Sequence, residues 1–513
     1  MTGSNRIVLN TMASYGQSLC GLVFALFSAR WLLMALGRVD YGLFGVVGST
    51  ILLMTILTGG LSVGISRFYA YSIGEAEKWS KRQANDELIR WFNAALSIHI
   101  VIPILVLLVG IPLGEHAIAN WLTIPEARLE ACIWVFRASM VATLASVFSV
   151  PFVAMFSAHQ KIYVVSVYKL FRSAATFIIA WCMLHAEGDR LIAYAVAMAS
   201  VGVFIQSMFV LCAFLSFEGC RIRSEYLFHW ARIKKLFSFT GWKMYGMSCV
   251  AVRDQAVPIV VNLHFGPAIN AAYMVAKSLS LQATALSTSL TRAFQPAVVT
   301  AEGSGNRAQM LDMGMRVCKF GSLLVILFAI PAIILMQDLL QLWLVVPPEH
   351  AAEICQWMLA MLVVERMTGG QMLAVNAYGK IALYEMINGT LLVSAVPLMW
   401  IFFKIGLGPV SLGYALFVTM VIYCVSRILF AKRLTGFEFT PWVKKILLPL
   451  LFIILLSLLI GEALKLYLVS GYIRLVSVSL VSGLVVIAAS WLVLFARDER
   501  AYLLRLPKRF LRV

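Results

Sequence analysis

Apolar stretches of about twenty residues follow one another along the whole chain, and each is long enough to cross a hydrocarbon layer of roughly 30 Å as a helix. They are read at 7–36, 41–66, 91–113, 131–156, 163–184, 191–216, 237–263, 269–294, 320–344, 354–376, 385–403, 411–430, 446–464 and 475–496. Lipid offers a free amide no partner, so a spanning backbone must bond to itself, and the period-two alternation of a membrane barrel is missing. The expected fold class is therefore all-α, a polytopic membrane protein of about 14 transmembrane helices. With 61% hydrophobic and 13% charged residues and no long polar insertion, there is no large soluble domain for the spans to serve. Trp91, Trp121, Trp343 and Tyr472 fall near span ends, where amphipathic rings anchor at the headgroups.

The connections divide sharply by charge. Those at Arg6, 68–90, 157–162, 217–236, 298–319, 377–384, 431–445 and 497–513 hold 25 Lys and Arg, whereas the alternate set holds 6. Because basic loops are retained in the cytoplasm, both termini are predicted to be cytoplasmic, which requires an even number of spans. The net charge of +18 is then a topology and lipid-headgroup signal and gives no reason to expect nucleic acid. The first span is longer than a signal-peptide core and lacks a small-residue cleavage site, so it is expected to stay. Seven of the nine cysteines, Cys20, Cys132, Cys182, Cys212, Cys249, Cys355 and Cys424, lie in spans with no C-x-x-C pair, so neither disulfides nor a metal site is expected.

Ser66-Arg67, Ala76-Glu77 and Arg82 recur as Thr291-Arg292, Ala301-Glu302 and Arg307 at one offset. Ala158-His159-Gln160-Lys161-Ile162 is echoed by Ala377-Tyr378-Gly379-Lys380-Ile381, and Leu36-Gly37 with Asp40 by Phe265-Gly266 with Asn270. The shared order and slowly drifting offset indicate a duplicated unit of six spans. The expected organisation is an N-terminal six-helix bundle over 1–216, a cytoplasmic linker at 217–236, a C-terminal six-helix bundle over 237–433, and two further helices with a basic tail over 434–513. Two such halves share one orientation about an axis along the membrane normal, and repeats of this kind enclose a substrate site.

A charged side chain at mid-bilayer costs about 3 kcal/mol on insertion scales, so it normally faces protein or a water-filled cavity. Arg253 and Asp254 in the seventh span, Lys277 in the eighth, and Glu365 with Arg366 in the tenth are the deepest charges. Arg30 lies towards the outer end of the first span, and Lys169 with Arg172 lies inward of the cytoplasmic end of the fifth. The cations Arg30, Lys169, Arg172, Arg253, Lys277 and Arg366 outnumber Asp254 and Glu365, a surplus that suits an anionic substrate, since guanidinium matches phosphate. The same residues could instead form structural ion pairs between helices, although neighbours at i,i+1 are expected to look elsewhere for partners. Asp254 and Glu365 are candidate Na⁺ or H⁺ coupling groups by depth alone, and no other cofactor is expected. Asn10, Ser14, Gln17, Gly21 and Ser28 share one face of the first span, and the eighth is polar almost throughout, from Lys277 to Ser289. The first, second, seventh and eighth spans are thus expected to line a cavity. His159 and His264 fit connections, while Pro151, Gly59-Gly60 and Gly369-Gly370 mark bends or close packing.

The segments Ala29-Arg30 through Leu36-Gly37 and Asp40-Tyr41-Gly42-Leu43-Phe44-Gly45-Val46-Val47-Gly48 resemble the polysaccharide-biosynthesis flippases of the multidrug/oligosaccharidyl-lipid/polysaccharide (MOP) exporter superfamily. So do Trp121-Leu122-Thr123-Ile124-Pro125, Ser149-Val150-Pro151-Phe152, Ala158-His159 and Gly379-Lys380-Ile381, and the resemblance extends over essentially the whole chain. It implies a V-shaped pair of six-helix bundles with a cationic central cavity, plus two C-terminal helices that can form a lipid-facing groove. It also implies a bacterial inner-membrane protein that moves undecaprenyl-diphosphate-linked oligosaccharide from the cytoplasmic to the periplasmic leaflet. The partners implied are the lipid-linked glycan, the phospholipid membrane, and the polymerase or glycosyltransferases of the same pathway. Cation-coupled multidrug export is a second transport reading. A membrane glycan polymerase or glycosyltransferase is the rival class. The longest outer connection, 114–130, offers it Glu115, His116, Glu126 and Glu130 without a catalytic arrangement, so the chain is not expected to be an enzyme.

Overall fold

The computed structural model describes residues 3–49, 52–75, 81–120, 124–344, 347–469, 471–496 and 499–500. Trp121, Ala76-Glu77 of the repeat and nearly all of the basic tail 497–513 lie outside them. Among the described residues the protein is all helix and turn. The helices are α1 Gly3–Ser49, α2 Leu52–Glu75, α3 Lys81–Leu105, α4 Ile111–Asn120, α5 Glu126–Ala158, α6 Ile162–Cys182, α7 Arg190–Ser216, α8 Trp230–Gly303 and α9 Arg307–Ile334. They continue with α10 Met336–Leu344, α11 Ala351–Arg366, α12 Gly369–Tyr378, α13 Ala382–Val393, α14 Ala395–Lys404, α15 Ser411–Thr435, α16 Phe439–Trp442, α17 Leu448–Tyr467 and α18 Tyr472–Ala489. Among the described residues, 10 helices are long and apolar enough to cross a membrane, and α11 with α12, bent by 45°, makes up to 11. The stretches read as the second, seventh and eighth spans are helical as well, on α1–α2 and α8.

The chain divides into two compact units, Met1–Met247 with Gln295–Asn306, and Ser248–Phe294 with Arg307–Val513. In the first, α5 packs along α7 and α1 along α6. The polar face of α1 is spent on that contact. Asn10, fully buried, donates to the carbonyl of Gln160 at 2.8 Å and accepts from the Tyr163 amide at 2.9 Å, and Ser14 bonds Ser166 at 3.3 Å. The expectation that this face lines a cavity is therefore corrected for Asn10 and Ser14: buried polar groups need partners, and α6 supplies them. Near the opposite end, Arg128 of α5 donates through Nε to Asp40 of α1 at 2.9 Å and through Nη1 to Asp189 at 2.6 Å. Asp189 in turn caps α7 by accepting from the amides of Leu191 and Ile192.

In the second unit α9 packs against α11, α12, α17 and α18, and α11 against α15. Gly370, just past the break between α11 and α12, approaches α9 so closely that an added Cβ would lie 1.8 Å from the Gly314 carbonyl oxygen. The carbonyl of Ile334, at the C-terminal end of α9, has no helical donor and takes the Lys465 ammonium of α17 at 2.7 Å.

The repeat reappears in backbone form. Gly37 (φ 75, ψ 175) and Gly266 (φ 77, ψ −174), matched in the duplication, kink α1 and α8 with the same torsions, a region open essentially to glycine alone. Gln160 (φ 59) and Gly379 (φ 92), the third members of the second matched pair, share the left-handed conformation.

Candidate functional site

The kink at Gly266 folds α8 back on itself within the second unit. Lys277 lies as far beyond Gly266 as Asp254 lies before it, to within one residue, and the two meet. The Lys277 ammonium sits 3.6 Å from the Asp254 carboxylate and donates to the Asp254 backbone carbonyl at 3.2 Å. That carbonyl is available because Pro258, four residues on, has no N–H to give it. Arg253 donates to the same carboxylate from Nε at 3.0 Å and Nη2 at 2.8 Å.

A second group forms where α11 breaks before α12. Arg366 Nη2 meets Glu365 at 3.2 Å, and Arg427 of α15 approaches the other carboxylate oxygen at 3.9 Å. Arg427, 3% exposed, also donates to the Tyr423 hydroxyl at 2.6 Å and lies 4.2 Å from the Tyr423 ring centroid. Glu385, Tyr384 and Tyr423 border this second group. The Nε atoms of Arg366 and Arg427 are buried without a hydrogen-bond partner, spare donors in an otherwise engaged cluster.

Two sequence expectations are corrected here. Arg253 with Asp254 and Glu365 with Arg366 do pair as adjacent residues, because a guanidinium on a flexible arm can curl around its own helix. The hydroxyls of Thr284, Thr288, Ser289 and Thr291 bond carbonyls one turn back, so these four are met by their own helix and do not require a water-filled cavity, whereas the buried Ser287 hydroxyl has no hydrogen-bond partner among the described residues. Each carboxylate is matched by two cations, Asp254 by Arg253 and Lys277 and Glu365 by Arg366 and Arg427.

Arg253, Asp254 and Lys277 are thus brought together in one group, and Glu365 and Arg366 in another. Arg30, Lys169 and Arg172 belong to the first unit, with side chains exposed on α1 and α6. Sequence reading missed Arg427. It lies one turn before the basic end Lys432-Arg433 and reads as part of that edge, and Tyr423 four residues earlier was the available signal. On the outer connection Glu115 is held by Arg137 at 2.6 Å, and the His116 ring by Asn120 at 3.1 Å.

No family model and no curated protein matches the chain. Solved structures do. An outward-facing multidrug resistance MATE family transporter of the MOP superfamily is 13% identical, with TM-score 0.72 over 85% of this chain and 96% of that chain. MATE in its bent conformation is 14% identical with the same TM-score and coverage. A MOP superfamily transporter from Pyrococcus furiosus, described as having a binding pocket of reverse polarity that suggests a different function, is also 14% identical at TM-score 0.72, with the same coverage. At such identities the likeness is one of fold, and together with the apolar helices it gives the conclusion: the chain is a multi-pass membrane protein with the fold of the MATE transporters of the MOP superfamily.

Proposed function

We propose that the chain is a flippase that carries polyprenyl-diphosphate-linked oligosaccharide from the cytoplasmic to the periplasmic leaflet of a bacterial inner membrane by alternating access, for surface polysaccharide biosynthesis. The supporting observation is the sign of the charge gathered around α8, α11 and α15: Arg253, Lys277, Arg366 and Arg427 against Asp254 and Glu365, with Glu385 alongside. A diphosphate brings the negative charge that such a cluster lacks, and it presents oxygens to the guanidinium fork. Arg253 and Lys277, at 16% and 22% side-chain exposure, would contact the ligand, while Arg427 holds Glu365 in place from behind. No bond is made or broken, so the work is binding and release on opposite sides.

Multidrug export is the second reading, and the likeness to a multidrug resistance transporter favours it. The pocket of reverse polarity in the neighbour from Pyrococcus furiosus is tied to a suggested change of function on this fold, and the cationic surplus here points towards anions. Proteoliposomes loaded with a lipid-linked oligosaccharide in one leaflet test the choice. The expected result is transfer between leaflets at unchanged mass, reduced at least tenfold by Arg253→Ala and by Lys277→Ala in protein that inserts and accumulates normally. Undiminished transfer by both variants would remove these residues from the site, a changed mass would indicate an enzyme, and transport of cationic drugs without lipid transfer would favour export.

A further inference from the structure

The segment 217–236, read from sequence as a linker, is fastened to α3 by buried side chains. Asn93, with no exposed surface, donates to the Arg221 carbonyl at 2.9 Å and accepts from the Arg223 amide at 2.9 Å. The Ser97 hydroxyl accepts from the Phe228 amide at 2.9 Å, and Arg232 grips Glu87 through two bonds of 2.6 and 2.8 Å. Gly219 sits against Leu88. An irregular segment held this firmly presents its side chains in fixed positions, and with the end of α2 and the start of α3 it lines an open cavity of about 1070 Å³. Its polar wall includes Arg82, Asn85, Asp86, Arg221, Arg223 and Tyr226, and Leu88 and Ile89 form an apolar part.

The charges in that wall do not cancel. Asp86 is taken by Arg90 at 3.1 Å, Arg223 at 3.6 Å and the Tyr226 hydroxyl at 3.2 Å. Glu218 accepts from the Asn85 amide at 3.1 Å, and Glu225 meets Arg223 at 3.4 Å. Among the charged groups that line the cavity, Arg82, Arg221 and Arg223 outnumber Asp86 and Glu218, and Arg82 and Arg221 are exposed with no ion pair to a carboxylate among the described residues. Arg90 and Arg223 lie 4.9 and 5.8 Å from the centroid of Tyr226, so this ring is already covered by cations and is not offered to a planar base.

We propose that this cavity binds a phosphate-bearing anion through Arg82 and Arg221, on the face that the positive-inside rule assigns to the cytoplasm. Guanidinium groups favour phosphate oxygens, and the restrained backbone lowers the ordering cost of binding. Phosphate chemistry is common to two sources, a soluble phosphate compound and the headgroup of an anionic lipid. The site is separate from the charges around α8, and the inference does not depend on the transport reading.

The test uses the full chain. Inorganic pyrophosphate is titrated calorimetrically into detergent-solubilised protein at low salt, and protein in nanodiscs is compared for retention of phosphatidylglycerol over phosphatidylcholine. Wild type is expected to bind in at least one arm. Arg82→Gln with Arg221→Gln should weaken that binding at least fivefold, each single variant should weaken it partly, and Lys444→Gln, an exposed cation elsewhere, should leave it unchanged. Pyrophosphate binding identifies a soluble source, and a response confined to phosphatidylglycerol identifies the membrane. Wild type that binds in neither arm, single and double variants that bind as wild type does, or a Lys444→Gln loss equal to the double variant's would each overturn the proposal. Because both arginine side chains are exposed, the variants are expected to fold, and either single variant carries the readout if the double does not accumulate.

Discussion

Glu365 and Arg427 illustrate how a buried charge is tolerated at the scale of single side chains. Removing one member of such a group leaves its partner uncompensated, which costs more than the pair itself contributes. Glu365→Gln removes the carboxylate that Arg427 approaches at 3.9 Å and should destabilise the protein by on the order of 3 kcal/mol, measured as a lower melting temperature in detergent. An unchanged melting temperature would show that Tyr423 and Thr368, whose hydroxyl accepts from Arg427 Nη1 at 3.5 Å, suffice to hold Arg427. Outside the spans, the hydrogen bond from Arg128 holds the Asp189 carboxyl below its ordinary range, and the amides of Leu191 and Ile192 add to this. A carboxylate with a depressed folded-state pKa contributes stability above its unfolded value of about 3.9 and loses it as pH falls through the folded value. Asp189→Asn should therefore lower the melting temperature at pH 7, with the gap to wild type closing as pH drops towards 3. A gap independent of pH would locate the effect in the lost α7 cap alone.

At the scale of elements, the kink in α8 decides what meets what. A straight helix would carry Lys277 far from Asp254, whereas the left-handed torsion of Gly266 turns the chain and brings them together. Gly266→Ala must hold a side chain at φ 77, at about 1–2 kcal/mol, and should lower both stability and lipid transfer. Gly241→Ala, elsewhere in α8 with open space around the new methyl and no left-handed torsion, should instead be neutral or gain up to about 1 kcal/mol. Equal effects from the two would mean that the kink does not set the site. The matched torsions at Gly37 and Gly266 also show why the repeat was legible at those positions: only glycine serves there, so the residue identity records the backbone.

For the whole molecule, the distribution of basic residues predicts that both termini face the cytoplasm. Reporter fusions should be active at the C-terminus only as cytoplasmic enzymes, and a periplasmic reporter active there would overturn the cytoplasmic placement of that end. The hydrophobic pattern was sufficient for the helices and for the all-α class, because in lipid every backbone amide must be satisfied within its own element and length alone marks a span. What only the tertiary structure decided is partnership. Asn10 and Ser14 are spent on α6 and the turn before it, the hydroxyls of Thr284, Thr288, Ser289 and Thr291 turn to their own backbone, Arg427 joins Glu365 from another helix, and the linker closes over α3 through Asn93. Spacing along one helix fixes which face a polar group occupies, but the packing of other helices fixes whether that face meets protein, lipid or water.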